Sequence, residues 1–528
     1  MRNRPTFALF DVLPIMTALC LQPAFAQHSC ENLATLTLTN AIVTSATSVS
    51  AGPYGPSSVP NHPSASVELP AYCRVDGIAK PTSDSEIKFE IWLPVSGWNG
   101  KFEQAGNGGF AGALPLAAMV KPLLRGYATG GTDDGHVGVA DLSWAIGHPE
   151  KVIDYGYRAV HETSIELKAI IRGYYGKDPA ESYFVGCSDG GREALMEAQR
   201  YPGDFNGILA GSPGPIATHI LLRMEWTAHA LLDDPASYIP AAKFAALQQA
   251  AINACDTLDG VKDGVIQDPR LCHFDLAVIQ CGADNGTDCL TAPQVEAARK
   301  IFSPLKNTRT GAEISPAYEP GTKFTAVDQS AASVSHVDAF VADLVYENPN
   351  WDYHTRDFDT DVKVADEKLG SILNPNDPNL SAFAARGGKL IQYHGWSDAS
   401  IPPEFSVNYF ESVQKTMGNT QNFYRLFMAP GVAHCGGGIG AIAFANAPTA
   451  EQDDPAHDMF LALDKWVVQG TAPDQIIATG FVDGKPANGV AITRPLCPYP
   501  QEAHYKGSGD TNNAENFTCQ VPAKKGAR

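Results

Sequence analysis

The chain has 528 residues, 44% of them hydrophobic and 18% charged, with 58 acidic against 38 basic side chains and a net charge of −20. This is globular composition, long enough for a large core with an inserted domain. So acidic a surface disfavours polyanions, which attract positive surfaces, and nucleic acid is excluded as an expected ligand.

Arg2 and Arg4, an apolar stretch over 7–21 and Ala24-Phe25-Ala26 before Gln27 follow the charged, apolar, small-residue order of a secretory leader. Residues 1–26 are therefore predicted to be a signal peptide, giving a secreted or periplasmic protein, with Cys20 leaving a lipid-anchored form as the alternative. No later segment approaches the ~18 consecutive apolar residues of a membrane span, so no membrane association is expected after leader removal. Ten cysteines then remain, at 30, 73, 187, 255, 272, 281, 289, 435, 497 and 519. An even number in an oxidising compartment points to disulfides. Zinc ligation is disfavoured, because neither a Cys-x-x-Cys pair nor a His-Glu-x-x-His stretch is present. The shortest loops to close would be Cys255/Cys272 and Cys281/Cys289.

Along the chain, residues 87–93 alternate apolar and charged and read as a strand, with a turn at Trp98-Asn99-Gly100. Gly106-Asn107-Gly108-Gly109-Phe110-Ala111-Gly112 follows a second short strand. Ala111 stands where a dinucleotide Gly-x-Gly-x-x-Gly pattern needs its last glycine, so no nucleotide site is expected. A helix is predicted over 161–175, a buried strand over 182–185, a helix over 192–200 with Leu195 inward, and a short apolar run over 208–210. Strands alternating with helices predict an α/β fold with a largely parallel sheet. From 215 to 385 the pattern changes to helices and acidic loops without strand alternation, which reads as an inserted lid domain. Strands return at 389–393 and 423–427, so the core domain is expected to be split into 27–214 and 386–528.

Gly186-Cys187-Ser188-Asp189-Gly190 matches Gly-x-Ser-x-Gly between a predicted strand and a predicted helix, where a sharp turn lifts the serine hydroxyl out of the sheet. A serine hydroxyl is a poor nucleophile at neutral pH, so it needs a base in reach and a carboxylate to hold that base in the right tautomer. Two later strand ends supply candidates. Asp398 follows His394-Gly395-Trp396-Ser397, and His434 follows Pro430-Gly431-Val432-Ala433. Their order, Ser then Asp then His, is that of α/β-hydrolases. His394 is the rival base, read as a structural loop histidine because it precedes the acid. Asp352, Asp357 and Asp359 are rival acids, read as solvated lid charges. Oxyanion donors are expected at the backbone N–H of Asp189 and of Gly109, with Gly108 close behind.

Cys187 adjoins the nucleophile and Cys435 adjoins the base. If Ser188 and His434 meet, these cysteines come within the ~4.4–6.8 Å Cα separation a disulfide allows, so a bridge clamping the two is expected. In the lid, Asp256, Asp259 and Asp263 sit three and four apart among glycines. Such hard oxygen ligands suit Ca²⁺, with the Val261 and Val265 carbonyls completing the shell; an acidic solvated turn is the alternative.

Cys187-Ser188 with Gly186 and Gly190-Gly191-Arg192, then Asp398, then His434-Cys435, together resemble the tannase and feruloyl esterase family. The likeness extends to Arg494-Pro495-Leu496-Cys497-Pro498-Tyr499-Pro500 and Tyr505-Lys506-Gly507-Ser508-Gly509-Asp510 near the C-terminus. The resemblance implies an α/β-hydrolase core with a lid and a structural Ca²⁺ on Asp256, Asp259, Val261, Asp263 and Val265. It also implies the disulfides Cys30–Cys73, Cys187–Cys435, Cys255–Cys272, Cys281–Cys289 and Cys497–Cys519. The implied activity is hydrolysis of small aromatic acid esters, including those attached to plant polysaccharide or polyphenol, through an acyl-enzyme and with no redox or organic cofactor. A terephthalate monoester hydrolase of the same family is one alternative. A non-catalytic carbohydrate-binding protein on a hydrolase shell is the other, and a peptidase is the rival within enzymes.

Overall fold

The computed structural model describes residues 29–55, 67–138, 142–282, 286–324, 338–445 and 452–522; the expected leader lies outside them. A nine-stranded sheet forms the centre. In chain order its strands are β1 (Ala41–Val49), β2 (Tyr72–Ala79), β3 (Ile87–Pro94), β4 (Lys101–Ala105), β5 (Ala128–Thr132), β6 (Glu181–Cys187), β7 (Gly207–Gly211), β8 (Lys389–Gly395) and β9 (Tyr424–Ala429). They lie side by side as β1-β2-β3-β5-β4-β6-β7-β8-β9. This is an α/β-hydrolase arrangement, with helices α1 (Ala159–Tyr175), α2 (Asp189–Arg200), α6 (Glu404–Met417) and α7 (Met459–Gln469) flanking the strands. Helices α3 (Ala217–Leu232), α4 (Ala241–Cys255) and α5 (Ala292–Ile301) belong to the stretch expected as a lid.

The sheet is only partly parallel. Pairings from β5 through β9 are parallel, whereas β1/β2, β2/β3 and β3/β5 are antiparallel. The strands expected from the sequence do not include β1, β2 or β5. Apart from Ala41-Ile42-Val43 at its start, β1 is mostly Ser, Thr and Ala, and without buried residues it carries no apolar alternation to detect. The central strands β6, β7 and β8 read clearly because helices cover both faces, and such strands become continuous apolar runs. In α1, Leu167, Ile170, Ile171 and Tyr174 recur at helical spacing and are buried against β3, and Gly176 ends the helix in the left-handed region at φ 73°.

The segment from 215 to 385 is mainly helical, as expected, but it also holds a small antiparallel ribbon, Leu305–Lys306 with Glu313–Ser315. Two further ribbons near the C-terminus, Ile476–Phe481 with Val490–Leu496 and Glu502–Tyr505 with Phe517–Gln520, were not anticipated. Isolated ribbons of this kind lack the one-sided apolar pattern of a sheet strand. Phe110 and Tyr155, which come from the sheet side, share one apolar cluster with Leu222, Phe340, Val341 and Leu344. The helical segment therefore packs directly over the loops that leave the sheet. Five disulfides close the pairs Cys30–Cys73, Cys187–Cys435, Cys255–Cys272, Cys281–Cys289 and Cys497–Cys519.

Candidate active site

Ser188 sits between β6 and α2 with φ 65° and ψ −119°, a conformation that costs a non-glycine residue roughly 1–3 kcal/mol and persists only where the surroundings enforce it. Neighbouring backbone supplies the enforcement. Ser188 N–H donates to the Gly211 carbonyl at 3.0 Å, and Gly190 N–H donates to the Asn107 carbonyl at 2.8 Å. A Cβ on Gly190 would lie 2.8 Å from that same Asn107 oxygen, so glycine is required for the turn to approach the glycine-rich loop. α2 begins at Asp189, three residues earlier than expected. Asp-Gly-Gly has poor helix propensity, and the tight turn overrides it.

Asp398 lies just beyond β8 and is fully buried. Its Oδ2 accepts from His434 Nδ1 at 2.7 Å and from His394 Nε2 at 3.1 Å, while Oδ1 accepts from the N–H groups of Ser400 and Ile401 at 2.8 and 2.9 Å. Burial alone would raise this carboxyl; the opposing pull of the His434 and His394 imidazoles holds it well below the usual carboxylate range. A carboxylate only accepts, so the His434 proton resides on Nδ1 and Nε2 keeps its lone pair.

His434 leaves the loop after β9 and is 26% exposed at its side chain. The Cys187–Cys435 disulfide, with a Cα separation of 5.8 Å, ties the residue before Ser188 to the residue after His434. Ser188 and His434 both line one cavity of about 610 Å³, together with Gly108, Gly109 and Asp189. Gly109 has φ +65°, and a Cβ there or on Gly108 would meet nothing within 4 Å. The loop is held from behind, because Asn107 N–H donates to Glu193 and the Asn107 side-chain amide donates to the Thr132 carbonyl, each at 3.0 Å. Asp189 is gripped in turn by Arg192 Nε at 2.6 Å and Tyr155 OH at 3.1 Å.

A cradled serine and a histidine on a buried carboxylate thus share one cavity. A family model for tannase and feruloyl esterase matches residues 73–520. The chain belongs to the tannase and feruloyl esterase family. It is 39% identical to an uncharacterized esterase of Xanthomonas campestris pv. campestris, over 96% of this chain and 93% of that one. It is 33% identical to a probable feruloyl esterase B-1 of Aspergillus flavus, over 85% and 86% of the two chains. The crystal structure of feruloyl esterase B from Aspergillus oryzae superposes with a TM-score of 0.83 at 30% identity, covering 93% of this chain and 99% of that one. This member of the tannase and feruloyl esterase family is accordingly a carboxylic ester hydrolase.

Several residues of this family member were misread or missed. His394 is not in a loop: it is the penultimate residue of β8, fully buried, accepts from Ser406 Oγ at 2.6 Å and shares the oxygen of Asp398 that His434 uses. Asp352, Asp357 and Asp359 do not line the cavity: Asp352 and Asp357 cap local turns, whereas Asp359 is buried rather than solvated and accepts from the N–H and hydroxyl of Thr308 at 2.7 and 2.6 Å. The apolar wall formed by Phe110, Ile220, Leu221, Met224 and Ile401 had no sequence signal, because α3 residues at helical spacing read only as helix interior.

The loop after α4 presents the oxygen donors expected for Ca²⁺. Asp256 Oδ1 accepts from the N–H groups of Asp263 and Gly264 at 3.1 and 3.0 Å, Asp259 Oδ1 accepts from Val261 N–H at 3.0 Å, and Arg494 pairs with Asp263 Oδ2. Burial raises the Asp259 and Asp263 carboxyls, with Asp263 repelling Asp259 and Asp256 repelling Asp263, against the pull of Arg494. Desolvated carboxylates that repel one another, beside the buried Val261 and Val265, are a donor set suited to a hard cation.

Proposed function

We propose that this esterase is a secreted serine hydrolase that cleaves esters of small aromatic acids through an acyl-enzyme, with Ser188 as nucleophile, His434 as base and Asp398 as the orienting acid. The observation that carries the reading is the Asp398–His434 hydrogen bond of 2.7 Å beside a strained Ser188 in one apolar cavity. His434 Nε2 takes the Ser188 proton as Oγ attacks the ester carbonyl, and returns it to the leaving alcohol. A water then repeats the sequence on the acyl-enzyme. The backbone N–H groups of Asp189 and Gly109 receive the oxyanion, and Asp398 stabilises the imidazolium that forms.

The acyl group rests against Phe110, Tyr155, Ile220, Leu221, Met224 and Ile401. Among the described lining residues the arginine is Arg192, and it is engaged by Asp189 and by the Gly156 and Tyr155 carbonyls. A wall so apolar favours a neutral aromatic acyl group such as ferulate over a terephthalate monoester, whose carboxylate would need a free cation. Ca²⁺ would be held by Asp256, Asp259, Asp263 and the Val261 and Val265 carbonyls, where it would neutralise the loop's carboxylates and stiffen the segment. Five disulfides fit an oxidising compartment.

The test is active-site labelling with a fluorophosphonate, alongside turnover of methyl ferulate, methyl p-coumarate, methyl gallate, a terephthalate monoester and a ferulic amide. The expected result is a label on Ser188, a turnover drop on the order of 10⁴-fold or more in Ser188→Ala, and hydrolysis of esters but not of the amide. An unlabelled Ser188 with no ester turnover would instead fit the carbohydrate-binding shell.

A further inference from the structure

Helix α3 carries a second cluster, which the ester chemistry does not use. Glu225 and His229 stand four residues apart, on one face of the helix. Asp338, from the segment that leads into residues 340–345, meets them there: one ligand atom from each of the three lies within 4.8 Å of the others. His229 Nε2 is 3.1 Å from Asp338 Oδ1, and its Nδ1 is 2.9 Å from Asp233 Oδ1.

Glu225 decides the reading. It is fully buried, and among the described residues neither of its carboxylate oxygens has a hydrogen-bond donor. Leaving a buried polar group without a partner costs about 1–3 kcal/mol, and more for a charged one. An imidazolium at His229 would satisfy Asp233 and Asp338 but leave Glu225 with no donor. The cation acting on Glu225 is Arg356, which is already paired with Asp233. A bound cation answers all three groups together.

We propose that Glu225, His229 and Asp338 form a binding site for a divalent transition-metal ion of the zinc class, with Asp233 as the residue that orients the imidazole. One nitrogen and two carboxylate ligands are a set that zinc accepts and that calcium, which takes oxygen donors, does not favour. Tetrahedral ligation at about 2.0–2.2 Å places ligand atoms about 3.4 Å apart, close to the 3.1 Å between His229 Nε2 and Asp338 Oδ1. Nδ1–H donating to Asp233 leaves Nε2 as the metal-binding nitrogen, the carboxylate–histidine–metal arrangement in which an outer carboxylate fixes the tautomer. The ion would fasten the far half of α3 to the 340–345 segment. The near half of α3 supplies Ile220, Leu221 and Met224 to the ester-binding cavity, so the metal would hold the cavity wall in place without touching the substrate.

The test uses full-length enzyme stripped with a zinc-selective chelator in excess Ca²⁺, which keeps the Asp256–Asp263 loop out of the measurement. Zn²⁺ is titrated by calorimetry, with melting temperature as a second readout and Co²⁺ absorption as a third. The expected result is one Zn²⁺ per chain, a raised melting temperature, and tetrahedral Co²⁺ bands in the wild type. Glu225→Gln and Asp338→Asn, which keep side-chain volume, should each abolish that binding, and Asp233→Asn should weaken it by about 10–100-fold. Wild-type enzyme that takes up no Zn²⁺, or takes it up no more tightly than Glu225→Gln, would overturn the proposal.

Discussion

One carboxylate oxygen, Oδ2 of Asp398, serves both His434 at 2.7 Å and His394 at 3.1 Å. The arrangement makes His394 a positioning residue. It buttresses the acid from the side away from the cavity; the Asp398 carboxylate and the Ile401 carbonyl only accept, which fixes its proton on Nε2 and leaves Nδ1 to accept from Ser406 Oγ. His394→Asn should therefore lower kcat on methyl ferulate by about tenfold with little change in KM, whereas His434→Ala should abolish turnover to within roughly 10⁻⁴ of wild type. Equal losses in the two variants would contradict the division of roles.

Asp398 and Glu103 should act on stability with opposite signs as pH changes. The Asp398 carboxyl lies below its unfolded value, so its contribution is present above the ordinary ~3.9 of an aspartate and is lost only as pH falls through the still lower folded value. Burial, against the pull of Arg125, pushes Glu103 up to about 8 from 4.5. The folded state then binds the extra proton, so this residue costs stability as pH rises from about 4.5 to about 8. Melting temperatures across that window should fall less steeply in Glu103→Gln than in wild type. Parallel curves would rule out this assignment.

The Cys187–Cys435 bridge joins positions 248 residues apart and lies directly beside the proposed nucleophile and base. Replacing both cysteines by alanine should leave a folded protein, since four other disulfides remain. Loosening the approach of Ser188 to His434 should cost on the order of 10²-fold in kcat, as for a displacement of about 1 Å. Unchanged turnover in the double variant would show that the bridge plays no part in catalysis.

Calcium should matter for stability before it matters for chemistry. EGTA should lower the melting temperature, and Ca²⁺ should restore it by RT ln(1 + [L]/Kd), about 2.7 kcal/mol at one hundred times Kd. Asp259→Asn should show a smaller response. A melting temperature indifferent to EGTA would leave the loop as a solvated acidic turn.

Met224 and Leu221 project from α3 into the cavity that contains Ser188. Met224→Ala should reduce kcat/KM for methyl ferulate by about tenfold, the scale of ~1–3 kcal/mol for lost apolar contact, while p-nitrophenyl acetate hydrolysis changes little. Similar losses on both esters would indicate damage to the machinery rather than to the acyl wall.

Ser188 was legible because its turn needs glycines at fixed offsets between a strand and a helix, a requirement that backbone sterics write into local sequence. Asp398 and His434 were legible for a related reason, since strand ends are marked by short apolar runs that stop. The helical segment over 215–385 and the central strands likewise carry their burial in residue periodicity. Tertiary structure alone decided that His394 shares the Asp398 oxygen, that β1 and β2 add an antiparallel edge, that Met224 lines the cavity of Ser188, and that Glu225 meets Asp338. Each of these depends on which distant segments pack together. Side-chain meetings across hundreds of residues are set by the packing of whole elements, and no local pattern of apolar and polar residues encodes them.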